Sequence, residues 1–319
     1  MTSVEADILS TPAILRRVVE RVGASRIELD GPMVFLGCGS SNCVGIAMAA
    51  LYEAVRGLPA QAMLPSDYAP RRAWTHVAIS RTGQTTELLE AMARAREAGT
   101  RALLLTGDPG SPAAALASEV LPLEFAAEQG IIQTRFLSAA FLALRLLIGG
   151  AGLPPDDLPD RLERALSSFD PGPLLGLART VFLGRGWRYG LAVGAALHQQ
   201  ETALGVPSAF QTLDYRHGPI ACADERTLVW SFDVPRDAAS AAVLDDVRAT
   251  GATVTQMDDD PQVALAQAQI LAVRIAQVHG IDTEAPRNLS RAIVLPSSDL
   301  IPGALAACRR EGREVERRW

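Results

Sequence analysis

Short apolar runs alternate with stretches of helical periodicity along most of the 319-residue chain. A short apolar run bounded by turn residues is typical of a buried strand, whereas apolar positions that recur every three or four residues indicate an amphipathic helix. Strands are predicted in the first half at residues 33–36, near Met63, and at 77–79, 102–106 and 120–123. Strands that alternate with helices predict a parallel sheet covered by helices on both faces.

Helices are predicted between and after these strands. Thr11 followed by Pro12 predicts a helix start, because proline suits the first helical position. Further helices are predicted at residues 44–55, 87–98, 134–148, 158–166, 189–204 and 263–278.

The second half repeats the opening theme of the first. Residues 180–186 (TVFLGRG) parallel residues 33–39 (MVFLGCG), and later strands are predicted at 228–232 and 252–255. We therefore predict an α/β fold of two α/β/α sandwich subdomains, with mainly parallel sheets in a flavodoxin-like, doubly wound arrangement. The predicted parts are an N-terminal helical segment (1–24), a first subdomain (25–150), a linker (151–176) and a second subdomain (177–319) that ends in a charged tail (309–319).

Two loops at predicted strand ends carry hydroxyl groups and glycine. They are residues 37–41 (GCGSS) and residues 80–86 (SRTGQTT), and each is followed by a predicted helix. The free N–H groups and positive dipole end of a helix N-terminus suit an oxyanion, so we expect phosphate binding. The alternative is that Ser and Thr merely cap the helices. The first loop is not a dinucleotide fingerprint, because Asn42 stands where that pattern has its third glycine.

Composition narrows the partners. With 30 basic and 36 acidic residues the net charge is −6, and no basic stretch suggests nucleic acid. The most apolar helix, residues 136–148, contains Arg145 and is too short to cross a membrane. The four cysteines and four histidines lack metal-ligand spacing, so we expect neither a metal nor another cofactor. Residues 1–5 lack the features of a signal peptide, which predicts a cytoplasmic protein with reduced cysteines.

The absence of lysine limits the chemistry. All 30 basic residues are arginine. A guanidinium stays protonated and is not nucleophilic, so no side chain of this chain can form an imine with a sugar carbonyl.

Two residues are candidates for proton transfer. Glu201 is the only carboxylate of the mostly apolar stretch 189–204, where burial would raise its pKa and suit it to act as a base. His217 lies beside a Gly-Pro turn, where an imidazole can be exposed and titrate near neutral pH. A solvated surface glutamate and a histidine bonded to a nearby carbonyl remain the alternative interpretations.

Six segments together resemble the SIS (sugar isomerase) family. The resemblance is to the isomerase half of glucosamine-6-phosphate synthase and to stand-alone amino-sugar-phosphate isomerases and deaminases. The segments run in the family's order over about residues 10–295: 37–41 (GCGSS), 79–85 (ISRTGQT), 128–134 (EQGIIQT), 182–186 (FLGRG), 216–219 (RHGP) and 285–290 (APRNLS).

The resemblance implies SIS-type subdomains and a site for a sugar phosphate. It implies that Glu201 moves a proton between C1 and C2 of an open-chain sugar. It also implies that His217 assists ring opening from the neighbouring subunit of a homodimer, with the sites near the subunit interface. The residues implied to bind phosphate are Ser41, Ser80, Arg81, Thr82 and Thr85, and those implied to contact the rest of the substrate are Ser40, Gln84, Ile131, Gln133, His198 and Arg291.

Two positions depart from the family pattern. His198 and Arg291 stand where the family has lysines, and the second of these is the synthase lysine that forms an imine with the ketose. Imine chemistry through a lysine is therefore excluded, although Arg291 could still bind a sugar oxygen or phosphate. Because no glutaminase segment precedes the matching part, we expect no glutamine-derived ammonia within this chain.

The expected function is that of a phosphosugar isomerase-type enzyme. The expected reaction is aldose–ketose isomerisation of a hexose 6-phosphate or an amino-sugar 6-phosphate, with deamination as a further step for an amino sugar. A fructosamine-phosphate deglycase and a phosphoglucose isomerase are alternatives of the same class. A non-catalytic sugar-phosphate sensor is the alternative from another class. The presence of Glu201 and His217 argues against it.

Overall fold

The computed structural model describes residues 1–128, 130–150 and 153–295. The charged tail at 309–319 and Gln129 of the EQGIIQT segment lie outside the described residues. The described helices are α1 (Ser3–Gly23), α2 (Ser40–Arg56), α3 (Thr86–Glu97), α4 (Arg135–Ile148), α5 (Leu158–Ser168), α6 (Arg188–Ala203), α7 (Ala238–Ala249) and α8 (Pro261–Val278). The described strands are β1 (Met33–Leu36), β2 (Ala60–Met63), β3 (Thr75–Ser80), β4 (Ala102–Thr106), β5 (Glu119–Pro122), β6 (Arg179–Gly184), β7 (Ser208–Gln211), β8 (Thr227–Ser231) and β9 (Thr253–Gln256).

The strands form two sheets in which every described pairing is parallel. The first sheet has the order β2-β1-β3-β4-β5, and the second has the order β7-β6-β8-β9. The first order is that of flavodoxin-like, doubly wound sheets, and the second repeats it without a fifth strand. The predicted α/β class with two parallel-sheet halves is therefore confirmed.

Helix α1 begins earlier than the sequence predicts. It starts at Ser3 rather than near Thr11, and the Thr2 hydroxyl caps it by accepting the Glu5 N–H at 3.2 Å. Pro12 consequently lies inside the helix, where its ring removes one backbone hydrogen bond. The helix continues through it because Val4, Ile8, Leu15 and Val18 bury one continuous face.

Two elements have no counterpart among the predicted ones. Strand β7 is an edge strand of four residues, exposed at both ends and half-buried at the two residues between, so it lacks an apolar run. Helix α7 is rich in alanine and has a weak apolar face, and its N-terminus is held by the Asp237 carboxylate, which accepts the Ala239 and Ser240 N–H groups. Its clearest sequence signal is therefore this cap rather than a periodic pattern.

The two halves share one core. Buried side chains of β1, α2 and α4 from the first half pack in the same cluster as those of α6, β8 and α8 from the second. Helices α2 and α6 approach most closely at Gly190, where an added Cβ would lie 2.5 Å from the Ala47 backbone nitrogen and 2.6 Å from the Cys43 carbonyl oxygen. None of the described helices has the length and apolar character to cross a membrane.

We expect Gly190→Ala to destabilise the protein, because its Cβ would meet backbone atoms of α2 that cannot rotate away. Forcing such a methyl group between packed helices costs about 1–3 kcal/mol. The control is Gly194→Ala on the same helix, where the nearest atoms would lie at an ordinary 3.6 Å from the new Cβ. Urea unfolding measures both variants, and equal stability of the two would contradict this packing.

Candidate active site

The two hydroxyl-rich loops lie side by side. They follow β1 and β3, which pair in parallel with Leu36 opposite Ala78, so both loops leave the sheet at its carboxyl edge. Glycine makes the first loop possible: a Cβ on Gly37 would lie 2.7 Å from the Ser41 carbonyl carbon, and Gly39 has a φ of +54°. This tight turn places Ser40 and Ser41, both buried, in the first turn of α2.

The second loop is folded around Ser80. The Ser80 hydroxyl accepts the Gly83 N–H at 3.0 Å, and Gly83 has a φ of +59°. Thr85 occupies the N-cap position of α3, yet its side chain makes no capping hydrogen bond. Helix capping therefore does not account for Thr85. The Ser80 hydroxyl, in contrast, already accepts one hydrogen bond within its own loop.

The Arg81 side chain turns away from this loop into the protein. Its guanidinium donates to the Glu128 carboxylate at 3.3 Å and to the carbonyl oxygens of Gly130 and Ile131 at 2.9 and 2.8 Å. Burial lowers the pKa of Arg81, and the Glu128 carboxylate opposes that shift. The phosphate-binding role expected of Arg81 stays a prediction. In this structure its guanidinium binds protein acceptors instead.

Glu128 fixes the segment that carries Ile131 and Gln133. The residue is 1% exposed, and its carboxylate accepts the backbone N–H groups of Thr134 at 2.7 Å and Phe136 at 2.9 Å, so it caps α4. Both Ile131 and Gln133 are half-buried, and the buried Gln133 Oε1 has no hydrogen-bond partner among the described residues. That unused acceptor is consistent with the predicted contact of Gln133 with a ligand.

The chain after α8 crosses back over the end of the second hydroxyl-rich loop. The Thr86 N–H donates to the Ile293 carbonyl at 3.1 Å, and Arg291 donates to the Glu128 carbonyl at 2.7 Å. This crossing borders an open cavity of about 400 Å³ lined by Arg81, Thr82, Gln84, Gly107, Asp108, Ala127, Arg291, Ala292 and Val294.

Three of the predicted phosphate ligands, Ser41, Ser80 and Thr85, are not among the residues lining this cavity. Asp108 does line it, although no chemical motif in the sequence points to this residue. Its only sequence signal is its place just after β4, at the same sheet edge as the hydroxyl loops.

Glu201 lies in the last turn of α6 and lines a second cavity of about 420 Å³. Burial raises the pKa of its carboxyl from the ordinary 4.5 to about 7, and the positive charge of Arg81 acts in the opposite direction. The other residues lining this cavity come from the end of α6 and from the chain after α8: Leu204, His279, Gly280, Ile281, Asp282, Ala285, Pro286 and Arg287.

His198 lies one turn before Glu201 on the same helix. It is buried, and burial lowers its pKa to about 3, so the imidazole is neutral at physiological pH. Its nearest polar neighbour is the Thr202 hydroxyl, about 3.4 Å from a ring nitrogen. The residue at the family's lysine position therefore contributes no positive charge beside the carboxylate.

His217 is exposed on a short 3₁₀ turn, Asp214–His217, that ends at Gly218 with a φ of +139°. Within the described chain no hydrogen bond joins it to Glu201, and it does not line the Glu201 cavity. An exposed position is compatible with service in a neighbouring subunit's site, and that role stays a prediction. No group of three or more His, Cys, Asp or Glu among the described residues is placed to hold a metal ion.

Comparison with known proteins finds similar sequences and similar folds. Residues 31–148 match the family model of the SIS domain. The chain is 25% identical over 321 residues to the glutamine–fructose-6-phosphate aminotransferase (isomerizing) of Methanothermobacter thermautotrophicus, covering 87% of this chain and 53% of that protein. It is 26% identical to the Symbiobacterium thermophilum enzyme of the same name, covering 87% and 54%. The chain thus spans about half the length of the curated relatives it matches.

Solved structures show the same fold. Glucosamine-6-phosphate deaminase from Thermotoga maritima superposes with a TM-score of 0.79 at 24% identity, covering 92% of this chain and all of that one. Tagatose-6-phosphate ketose/aldose isomerase from Escherichia coli superposes with a TM-score of 0.73 at 17% identity, covering 93% and 98%. Residues 31–148 thus match the SIS domain model, and 87% of the chain aligns with the glutamine–fructose-6-phosphate aminotransferases at 25–26% identity.

Proposed function

We propose that this chain isomerises a sugar phosphate, moving a proton between C1 and C2 of an open-chain hexose 6-phosphate or amino-sugar 6-phosphate. The observation that carries the proposal is Glu201: a carboxylate with a pKa of about 7 that lines a cavity large enough for such a substrate. A general base works best when its pKa lies near the working pH. An exposed surface glutamate would have neither property.

The phosphate would bind at the carboxyl edge of the first sheet. Ser41, Ser80, Thr82 and Thr85 supply neutral hydroxyl donors beside the N-termini of α2 and α3, whose dipoles favour an anion. With a net charge of −6, the chain as a whole does not attract anions, so such a site depends on these local donors. If the phosphate end of the sugar binds here, C1 and C2 at its other end can extend towards the second half of the chain.

The chemistry would belong to the second half. Glu201, when ionised, takes the proton from one carbon of the open-chain sugar and returns it to the neighbouring carbon through an enediol, or an enolamine for an amino sugar. We expect His217 of the neighbouring subunit in a homodimer to assist ring opening. An imine through a lysine side chain plays no part, because the sequence has no lysine.

The relatives support this substrate class. The aminotransferases are named for fructose 6-phosphate and for an isomerising step, and the chain aligns with about half of each of them. The proposal for this chain is therefore limited to the isomerising step. Deamination of an amino sugar would follow the same proton transfer, and a non-catalytic sensor would bind the sugar phosphate without exchange.

We expect the protein to exchange solvent deuterium into C1 or C2 of a hexose 6-phosphate or amino-sugar 6-phosphate, and Glu201→Gln to slow this exchange by roughly 10²–10⁴-fold. Proton NMR of the sugar measures the exchange, and ligand-induced thermal shift measures binding. Sugar-phosphate binding should survive in the variant. Glu225→Gln, an exposed glutamate in the same half, is the control.

Two outcomes would contradict the proposal in different ways. Full exchange by Glu201→Gln would assign the base elsewhere. Tight binding without exchange by the unmodified protein would favour the sensor.

The raised pKa of Glu201 also predicts how stability depends on pH. Between about pH 4.5 and 7 the folded protein holds a proton on Glu201 that the unfolded chain releases, so this residue's contribution to stability falls as the pH rises through that range. Glu201→Gln has no such dependence. Its unfolding free energy relative to the unmodified protein should therefore be greater near pH 8 than near pH 5, by on the order of 2 kcal/mol. Urea unfolding at the two pH values tests this, and a pH-independent difference would refute the raised pKa.

A further inference from the structure

We infer that Arg81 is a positioning residue of this site: its buried guanidinium fastens the proposed phosphate-binding loop to the segment that carries Ile131 and Gln133, and its positive charge acts on Glu201 of the second half. This inference rests on the proposed function, because it assigns Arg81 to the support of the proposed base. It also separates Arg81 from the hydroxyl residues of its own loop, which remain the proposed phosphate ligands.

The geometry of Arg81 is that of a structural clamp. The residue is 2% exposed, and its two terminal nitrogens donate to three protein acceptors: the Glu128 carboxylate and the carbonyls of Gly130 and Ile131. Its own carbonyl accepts the Gly107 N–H at 3.1 Å, which ties it to the end of β4. A phosphate could take the three N–H groups used in these bonds only by displacing buried protein acceptors, which is costly.

The clamp holds the part of the site expected to meet the sugar. Glu128 would keep its bonds to the N–H groups of Thr134 and Phe136 without Arg81, so α4 would stay capped. The carbonyls of Gly130 and Ile131, in contrast, would lose their guanidinium donor. Loss of Arg81 should therefore loosen residues 130–133 while leaving the Ser80 and Thr85 hydroxyls in place.

The charge of Arg81 acts on the base. Burial raises the pKa of Glu201, and Arg81 opposes that rise, so removing Arg81 raises the pKa further and leaves less of the ionised base at neutral pH. Burial, and to a lesser extent the charge of Glu201, raises the pKa of the Cys43 thiol on α2 to about 12, so this neighbouring thiol is neutral. The other titratable groups near Glu201 are the neutral His198 on its own helix and, lining the same cavity from the chain after α8, His279, Asp282 and Arg287.

Two substitutions separate the clamp from the charge. Arg81→Met removes both. Arg81→Lys keeps a positive charge but loses the planar fork that reaches three acceptors at once. Arg16→Met, which breaks two exposed ion pairs between α1 and α5, is the control.

The experiment follows the ¹³C-carboxyl resonance of Glu201 against pH, assigned with Glu201→Gln, and measures the exchange kinetics of each folded variant. In Arg81→Met we expect the Glu201 midpoint to rise by about one pH unit. The exchange rate should fall by roughly ten-fold or more, with a much smaller change in KM and in affinity for inorganic phosphate. In Arg81→Lys the midpoint should return towards that of the unmodified protein while the rate stays low.

An unmoved Glu201 midpoint in Arg81→Met would overturn the inference. A loss confined to KM and phosphate affinity would also overturn it, and would restore Arg81 as a phosphate ligand. If Arg81→Met does not fold, Arg81→Gln replaces it with the same expectations. The titration of Glu201 does not depend on turnover. If the proposed isomerisation is wrong, the unmodified protein shows no exchange, and the Glu201 midpoints still test the role of Arg81.

Discussion

The arrangement of the site depends on one buried carboxylate, that of Glu128. A charge removed from water is tolerated only where donors surround it, and a buried carboxylate left without them destabilises a protein by several kcal/mol. Here the donors are the guanidinium of Arg81 and the first N–H groups of α4, while the Glu128 carbonyl accepts from Arg291. One residue thereby joins the end of β3, the start of α4 and the chain that returns after α8. The cavity that Arg81 and Arg291 line lies at this junction.

The two halves repeat one fold but present different chemistry at matching places. At the carboxyl edge of the first sheet, hydroxyl side chains and the N-termini of α2 and α3 lie in and after the loops that follow β1 and β3. At the corresponding edge of the second sheet, the buried carboxylate of Asp233 accepts the Arg185 N–H at 2.8 Å and the Thr212 hydroxyl. The second half thus has the carboxylate of Asp233 at the place where the first half is proposed to bind the phosphate of the ligand. This difference agrees with a division of labour in which the first half holds phosphate and the second carries the base.

Sequence patterns predicted those features of the fold that residues close together in the chain determine. The apolar run of β4 predicts its limits, Ala102 and Thr106, because all five of its residues are buried. The glycines of the 37–41 loop and the hydroxyls of the 80–86 loop predict turns before helices. Tertiary contacts decide the rest: α1 runs through Pro12 because its buried face outweighs the lost hydrogen bond, and β7 forms only by pairing with β6. The direction of the Arg81 side chain follows from Glu128, which is distant in sequence, so no spacing could reveal it.

The most direct test of the proposed division of labour is a crystal structure of the protein with a hexitol 6-phosphate, an unreactive open-chain analogue of the substrate. We expect the phosphate oxygens within hydrogen-bond distance of Ser41, Ser80 or Thr85, and C1 and C2 against the carboxylate of Glu201. A phosphate bound to the second half, or a sugar chain whose C1 and C2 lie out of reach of Glu201, would contradict it.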